Sequence, residues 1–244
     1  IALFCNVQEN AVIESLDASC IYDVPLMMKK EKLDRVVLSK MKLSTKKEPD
    51  LRKWNKFLDK FKHPSSEVKI GLIGKYVELK DAYKSIAESF SHAAGENQCK
   101  VILKRIHSED ITEKNVNKKL VNLSGILVAP GFGSRGIEGK IAAIKYVREK
   151  KIPFLGICLG MQCAVVEFAR NVLNLTDAHS SEINPKAKDK VIDLMDSQKK
   201  ITYKGGTMRL GAYNCTVKKG TKAYQVYGKS NITERHRHRY EFNN

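Results

Sequence analysis

From Val68 onward, apolar and polar positions alternate in blocks that predict strands followed by helices. Four apolar runs have the length of buried strands: residues 69–74, 101–103, 126–128 and 152–155. Helical patterns separate them: a helix capped by Asp81 with Ile86, Phe90 and Ala93 on one face, a helix around 113–120, and a helix over 138–149. Such alternation predicts an α/β domain built on an open, mostly parallel sheet with helices on both faces.

The first part of the chain has a different pattern. Ile1–Phe4 has the pattern of a buried strand, and residues 21–26 predict a turn or the start of a helix, so we expect another segment to precede them. Residues 46–67 are mostly polar, and two prolines bracket a short amphipathic helix carrying Leu51, Trp54, Phe57, Leu58 and Phe61. We therefore predict three parts: a domain end at 1–45, an interdomain linker at 46–67, and an α/β domain at 68–244.

The most informative stretch is Gly156–Gly160, where a single cysteine lies between two glycines. The apolar run before it predicts a buried parallel strand, and the residues after it predict a helix whose buried face carries Met161, Ala164, Val165, Phe168 and Val172. A sharp strand-to-helix turn is where a nucleophile is held, and the helix N-terminus is expected to lower the pKa of the Cys158 thiol. The alternative is a buried structural cysteine beside glycines that allow close helix packing.

A glycine-rich loop follows the strand at 126–128. Because the carboxyl ends of parallel strands meet at one sheet edge, we expect this loop to lie near Cys158. A thiolate that attacks a carbonyl forms an oxyanion, which backbone N–H groups stabilise. Leu159 and Gly131 are the candidate donors, since Pro130 has no N–H. The alternative is a tight turn without a chemical role.

Composition and charge limit the other possibilities. The 244 residues, 42% of them hydrophobic, can form one sizeable core, and with neither a membrane-length apolar run nor a leader we expect a soluble, cytoplasmic protein. The six cysteines lack the spacing of a zinc site or a disulfide framework. The net charge of +17 suggests nucleic-acid binding, but the lysines are scattered along the chain, so a solvated surface or attraction for small polyanions is favoured.

Several blocks carry a family resemblance. The block FLGICLGMQ at 154–162 resembles the nucleophile segment of the class I glutamine amidotransferases. Further blocks resemble the members of that family that make CTP. These are GKYVELKDAYKSI at 74–86, DAHSSE at 177–182, GGTMRLG at 205–211 and ERHRHRYE at 234–241, together with the opening blocks IALFCNV and SCIYDVPL. The opening blocks resemble the end of a synthase domain.

The resemblance implies that this domain hydrolyses L-glutamine and passes ammonia to a synthase domain, where UTP activated by ATP becomes CTP. It makes Cys158 the nucleophile that forms a glutamyl thioester, with Gly131 and Leu159 as oxyanion and substrate donors. The glutamine pocket would further contain Phe132, Gln162, Glu182 and Arg239. A carboxylate suits the α-ammonium of glutamine, and a guanidinium suits its α-carboxylate.

The resemblance also implies partners and cofactors. The glutaminase domain itself would bind no cofactor or metal, whereas the whole enzyme would use ATP and Mg²⁺, with Asp17 and Ala18 near the adenine. A GTP activator and a homotetramer, with possible filaments, are implied, and neither nucleic acid nor a membrane is an expected partner. The alternatives are another class I amidotransferase and a catalytically silent regulatory or filament-forming module.

Two features depart from the family pattern. The loop reads Ala-Pro-Gly-Phe-Gly at 129–133, where the family commonly reads Pro-Gly-Gly-Phe-Gly, which removes one potential donor. The family's general base and its orienting glutamate belong to a later His-Pro-Glu motif, absent up to Asn244, so we expect these 244 residues alone to be inactive. As a strand, 234–240 would point Arg235, Arg237 and Arg239 to one face, and neither of its histidines is predicted to be the base.

Overall fold

The computed structural model describes residues 1–44, 47–202 and 206–243. It divides into two compact units: unit 1 comprises Ile1–Glu67 and Glu88–Val101, and unit 2 comprises Val68–Ala87 and Ile102–Asn244. The predicted boundaries at 45/46 and 244, and the start of the block at 205–211, fall outside the described residues. The three-part domain division therefore stays a prediction.

The helices are α1 Val24–Lys30, α2 Leu33–Lys40, α3 Arg52–Lys62, α4 Lys84–Glu96, α5 Val116–Leu120, α6 Ile137–Glu149, α7 Leu159–Asn171 and α8 Lys222–Tyr227. The strands are β1 Ser66–Gly74, β2 Cys99–His107, β3 Gly125–Val128, β4 Phe154–Gly156, β5 His179–Ser180, β6 Lys190–Leu194, β7 Arg209–Thr216, β8 Asn231–His238 and β9 Tyr240–Phe242. Within the described ranges, no helix is both long and apolar enough to cross a membrane.

Unit 1 contains the predicted amphipathic helix as α3, whose Leu58 is buried. The rings of Trp54, Phe57 and Phe61 surround Tyr22, at centroid distances of 6.1, 5.6 and 5.4 Å. Burial, together with a hydrogen bond from its hydroxyl to Glu88, raises the pKa of Tyr22 to about 12. This aromatic cluster explains why the helix between the two prolines carries so many large apolar side chains.

The prediction of a buried strand at Ile1–Phe4 is wrong. This segment forms turns whose backbone bonds to itself, as in Cys5 N–H to Ile1 O at 2.9 Å, and the Phe4 side chain is 97% exposed. A short apolar run forms a strand only where another strand offers hydrogen-bonding partners, and here the turn takes those bonds instead.

Unit 2 contains the predicted parallel sheet, with strand order β2-β1-β3-β4. Strand β3 pairs in parallel with β1 and with β4, so that Leu127 lies opposite both Leu72 and Leu155. The predicted α/β fold is confirmed. The prediction that the strand before Cys158 is buried is wrong, because β4 is the end strand of this sheet and Leu155 is 57% exposed.

The predicted buried face of α7 is only partly correct. Ala164 and Val165 pack against the core, but Met161, Phe168 and Val172 are at least 40% exposed, and the fully buried core positions include Leu159, Cys163 and Val166. Apolar residues occur on both faces of this helix, so periodicity alone did not identify the face that packs against α6 and β3. Two helix starts differ as well: α5 begins at Val116, and Asp81 lies inside a short 3-10 turn before α4.

Two smaller sheets complete unit 2. One has the strand order β5-β6-β9, and the other is the antiparallel pair β7-β8. The predicted strand at 234–240 is broken at Arg239, which forms a bend between β8 and β9. The expected alternation holds as far as His238, with Arg235 and Arg237 exposed and His236 and His238 half-buried. Arg239 leaves this pattern because the chain changes sheet there.

Candidate active site

Cys158 occupies a strained turn between β4 and α7. Its φ of 53° and ψ of −108° lie outside the regions that residues with a Cβ ordinarily adopt. A Cβ on Gly156 would come within 2.6 Å of the Gly160 backbone, and one on Gly160 within 2.1 Å of the Val128 carbonyl oxygen. Both glycines are therefore required by close backbone approach, as expected for a nucleophile elbow.

The predicted lowering of the Cys158 pKa is wrong in its net direction. Burial raises the pKa of the half-buried Cys158 thiol, and the Glu182 carboxylate adds to the increase. The Leu159 N–H at the start of α7 and the Lys140 ammonium act in the opposite direction. The helix N-terminus thus acts as expected, but its effect is smaller than the cost of removing a thiolate from water.

The glycine-rich loop is fixed at several points. The Phe132 carbonyl accepts a hydrogen bond from Lys75 Nζ, and the Gly133 N–H donates to Glu182 Oε1 at 3.3 Å. The Phe132–Gly133 peptide is thereby held from both ends. Gly131, the predicted oxyanion donor, has an ordinary φ, and a Cβ placed on it would be 3.5 Å from Leu159 Cδ2. This contact places the loop beside the N-terminus of α7.

A cavity of about 420 Å³ joins this loop to the elbow. Its lining includes six residues predicted from the sequence: Gly131, Phe132, Cys158, Gln162, Glu182 and Arg239. The side chain of Leu159 is buried in the core, so only its backbone N–H is directed to the site. The predicted glutamine-pocket residues are thus in one place, and their individual roles stay predictions.

The three residues predicted to bind the amino-acid end of glutamine are each hydrogen-bonded to neighbouring residues. Arg239 donates from Nη1 to Gln198 Oε1 at 2.5 Å and from Nη2 to Thr207 Oγ1 at 3.1 Å. Gln162 is almost fully buried, and its Nε2 donates to the Tyr240 carbonyl at 3.2 Å. Together with the Glu182 contact to Gly133, these bonds fix a carboxylate, an amide and a guanidinium around one cavity.

His238 also lines the cavity, but both of its ring nitrogens have partners. Its Nδ1 lies 3.1 Å from the Tyr240 carbonyl oxygen and therefore carries the proton, while its Nε2 lies 2.8 Å from His236 Nδ1. The Nε2 lone pair accordingly accepts the His236 proton. Burial and the nearby Arg209 charge lower the pKa of His236. Both ring nitrogens of His238 are therefore engaged with neighbours, and the prediction that neither histidine is the general base stays a prediction.

Asp17 and Ala18 belong to unit 1 and do not line this cavity. They lie in a segment without regular secondary structure, with Asp17 exposed and Ala18 half-buried. An exposed carboxylate and a methyl group are by themselves too little to hold an adenine ring, and their place near ATP stays a prediction.

Several residues around the site were not predicted from the sequence. Gln198 and Thr207 hold Arg239, and Lys75 and Lys140 lie against the glycine-rich loop. Only Lys140 leaves a signal in the sequence, because it falls on the apolar face of a helix at a position one turn from Ile137 and Ile144. A lysine at such a position indicates a buried charge with a partner.

Comparison with known families identifies this arrangement. Residues 78–244 match the family described as "Glutamine amidotransferase class-I". The chain belongs to the class-I glutamine amidotransferases. Residues 1–43 match a second family, described as "CTP synthase N-terminus". The amidotransferase match includes the elbow, the glycine-rich loop and all the cavity residues predicted from the sequence.

The whole chain is similar to CTP synthases. It is 64% identical to the CTP synthase of Cytophaga hutchinsonii and 59% identical to that of Flavobacterium psychrophilum, in each case over essentially the whole chain and 45% of the relative. It therefore spans about half the length of these amidotransferase relatives. A solved structure of the Trypanosoma brucei CTPS glutaminase domain with bound acivicin is 37% identical and superposes with a TM-score of 0.67. The match covers 72% of this chain and 68% of that chain. The predicted resemblance is confirmed.

Proposed function

We propose that this chain is the glutamine-hydrolysing part of a CTP synthase. The Cys158 sulfur attacks the side-chain amide carbon of L-glutamine, the C–N bond breaks, and the nitrogen leaves as ammonia after taking up the proton lost by the thiol. In the whole enzyme, which would supply the general base, water then attacks the glutamyl thioester, giving glutamate and restoring the thiol. The observation that carries this proposal is the single cavity that combines Cys158, the glycine-rich loop, Glu182 and Arg239.

Each lining group has a part that suits glutamine. The Leu159 and Gly131 N–H groups stabilise the oxyanion that forms on the amide carbon. Glu182 pairs with the α-ammonium and Arg239 with the α-carboxylate, and Gln162 and Phe132 complete the walls. Because Gln198 and Thr207 already hold the Arg239 side chain, the guanidinium is oriented before the substrate arrives.

The remaining parts of the proposal concern the whole enzyme. Ammonia passes to a synthase domain that aminates UTP to CTP with ATP and Mg²⁺, under activation by GTP, in a cytoplasmic homotetramer. The names of the similar proteins and the match of residues 1–43 support the choice of a CTP synthase. They favour it over another class-I amidotransferase and over a catalytically silent module.

Labelling with a diazoketone analogue of glutamine tests the glutaminase proposal. We expect alkylation of Cys158, detected by peptide mass spectrometry, and protection by L-glutamine but not by D-glutamine. The matched variant Cys163→Ser removes the other cysteine of α7 and is expected to leave the label in place, because Cys163 is buried outside the cavity. Label on Cys163, or equal protection by both enantiomers, contradicts the proposal.

A further inference from the structure

Lys140 is a charged residue inside the apolar core of unit 2. It lies on α6 among Ile137, Ile141 and Ile144, and its exposed fraction is 0%. An ammonium group loses its hydration at such a position, so lysine is almost never fully buried unless it has a partner. A methionine would fill the same space at lower cost. The position of this lysine therefore needs a reason other than packing.

The Lys140 ammonium lies against the glycine-rich loop. Its Nζ donates to the Ala129 carbonyl at 3.4 Å and would be 3.9 Å from a Cβ placed on Gly131. Lys75, also buried, approaches the same loop: its Cε would be 3.5 Å from that Cβ, and its Nζ donates to the Phe132 carbonyl. Two lysines thus hold the carbonyls on either side of Gly131.

The charge of Lys140 also acts on the nucleophile. It lowers the pKa of Cys158, against the increase caused by burial and by Glu182. Burial and the neighbouring Lys75 charge lower the pKa of Lys140 itself, while negative charge on Cys158 or Cys163 raises it. The ammonium is therefore stabilised by negative charge at the sulfur, which is where the reaction begins.

We propose that Lys140 is a positioning residue of this site, whose ammonium fixes the loop at 129–132 and supplies positive charge beside the Cys158 sulfur and the oxyanion. The role rests on the proposed glutaminase function. A hydrogen bond to Ala129 orients the loop, and the charge in a water-poor surrounding favours the thiolate over the thiol.

Lys140→Met tests the proposal, with Lys145→Met as the matched control. Lys145 lies on the same helix and pairs with Glu113 at the surface, 3.4 Å away. The rate at which iodoacetamide alkylates Cys158 is followed against pH by quantitative peptide mass spectrometry. We expect Lys140→Met to move the midpoint upward by about one pH unit and Lys145→Met to leave it in place. In Lys140→Met, the rate of Cys158 labelling by the diazoketone should fall at least several-fold more than the rate of labelling by iodoacetamide, because only the diazoketone depends on the orientation of the loop.

The outcomes separate the two proposals. Failure of L-glutamine to protect wild-type Cys158 overturns the glutaminase function, whatever Lys140 does. Normal wild-type labelling with an unchanged midpoint in Lys140→Met overturns the role of Lys140 alone. Lys140→Gln keeps an N–H donor without the charge, and it makes the same comparison if the methionine variant does not fold. Loss of folding in both variants makes Lys140 a residue of the core and also overturns the proposal.

Discussion

Gly160→Ala is expected to displace Cys158, the proposed nucleophile, by adding a single methyl group. The new Cβ would lie 2.1 Å from the Val128 carbonyl oxygen, whereas such carbon–oxygen contacts are ordinarily at least about 3.3 Å. One side must therefore move by roughly 1 Å. Val128 is fully buried in β3 and its carbonyl also accepts the Ile157 N–H at 3.1 Å, so the shift falls on the start of α7.

The expected cost is at the upper end of the range for overpacking, about 3 kcal/mol, because backbone atoms cannot rotate away as a side chain can. For a chain of this size, such a loss lowers the melting temperature by roughly 6–12 °C. Differential scanning calorimetry measures this change. Because Cys158 directly precedes α7, its labelling by the diazoketone analogue should also fall at least tenfold.

Gly131→Ala is the matched control for stability. It adds the same methyl group where the nearest side-chain atoms are 3.5 Å away, which is ordinary van der Waals contact, and its φ suits an alanine. We expect its melting temperature to stay within about 2 °C of the wild type. A Gly160→Ala protein as stable and as reactive as the wild type would refute the close approach of α7 to β3.

Three further predictions follow from contacts and pKa shifts in unit 2. Glu167→Gln should lower the free energy of unfolding by about 2–3 kcal/mol in urea titrations, because the buried Glu167 carboxylate accepts two hydrogen bonds from Arg148, whose side chain is one-third exposed. The control Glu149→Gln, which removes an exposed partner of the same arginine, should lower it by under about 0.5 kcal/mol. Burial raises the pKa of the Cys158 thiol above its ordinary value and that of Cys163 to about 12. Alkylation by iodoacetamide should therefore still increase with pH above the ordinary thiol pKa of about 8.5 at Cys158 and stay negligible at Cys163, and preferential labelling of Cys163 would contradict this. His238→Asn should leave the pH midpoint of Cys158 alkylation unchanged, and a shift of a full unit would identify His238 as a base.

Local patterns predicted the elements of the parallel sheet better than they predicted its exposed surfaces. The glycines around Cys158 identified the elbow, because their positions reflect close backbone contacts that leave no room for a Cβ atom. The buried face of α7 was predicted only in part, since Met161 and Val166 are both apolar and only the neighbouring elements decide which of them is covered. Periodicity reports the apolar faces of an element and not the partners available to them.

The site was predicted unevenly for a similar reason. The family resemblance supplied Glu182 and Arg239, which the residues alone would have left as surface charges. The side chains that hold them were not predicted, because Gln198 and Thr207 are far from Arg239 in sequence and ordinary in composition. The sign of the Cys158 pKa shift depends on burial, which a pentapeptide does not report.

The bend at Arg239 connects the proposed glutamine site with two separate sheets of unit 2. Arg239 lies where the chain leaves the β7-β8 pair and enters the sheet of β5, β6 and β9, and the Met195 N–H donates to its carbonyl at 3.1 Å. Its guanidinium therefore keeps its position only while both sheets keep theirs. Under the proposed function, a change in the position of the β7-β8 hairpin would therefore move Arg239 and weaken the binding of the amino-acid carboxylate.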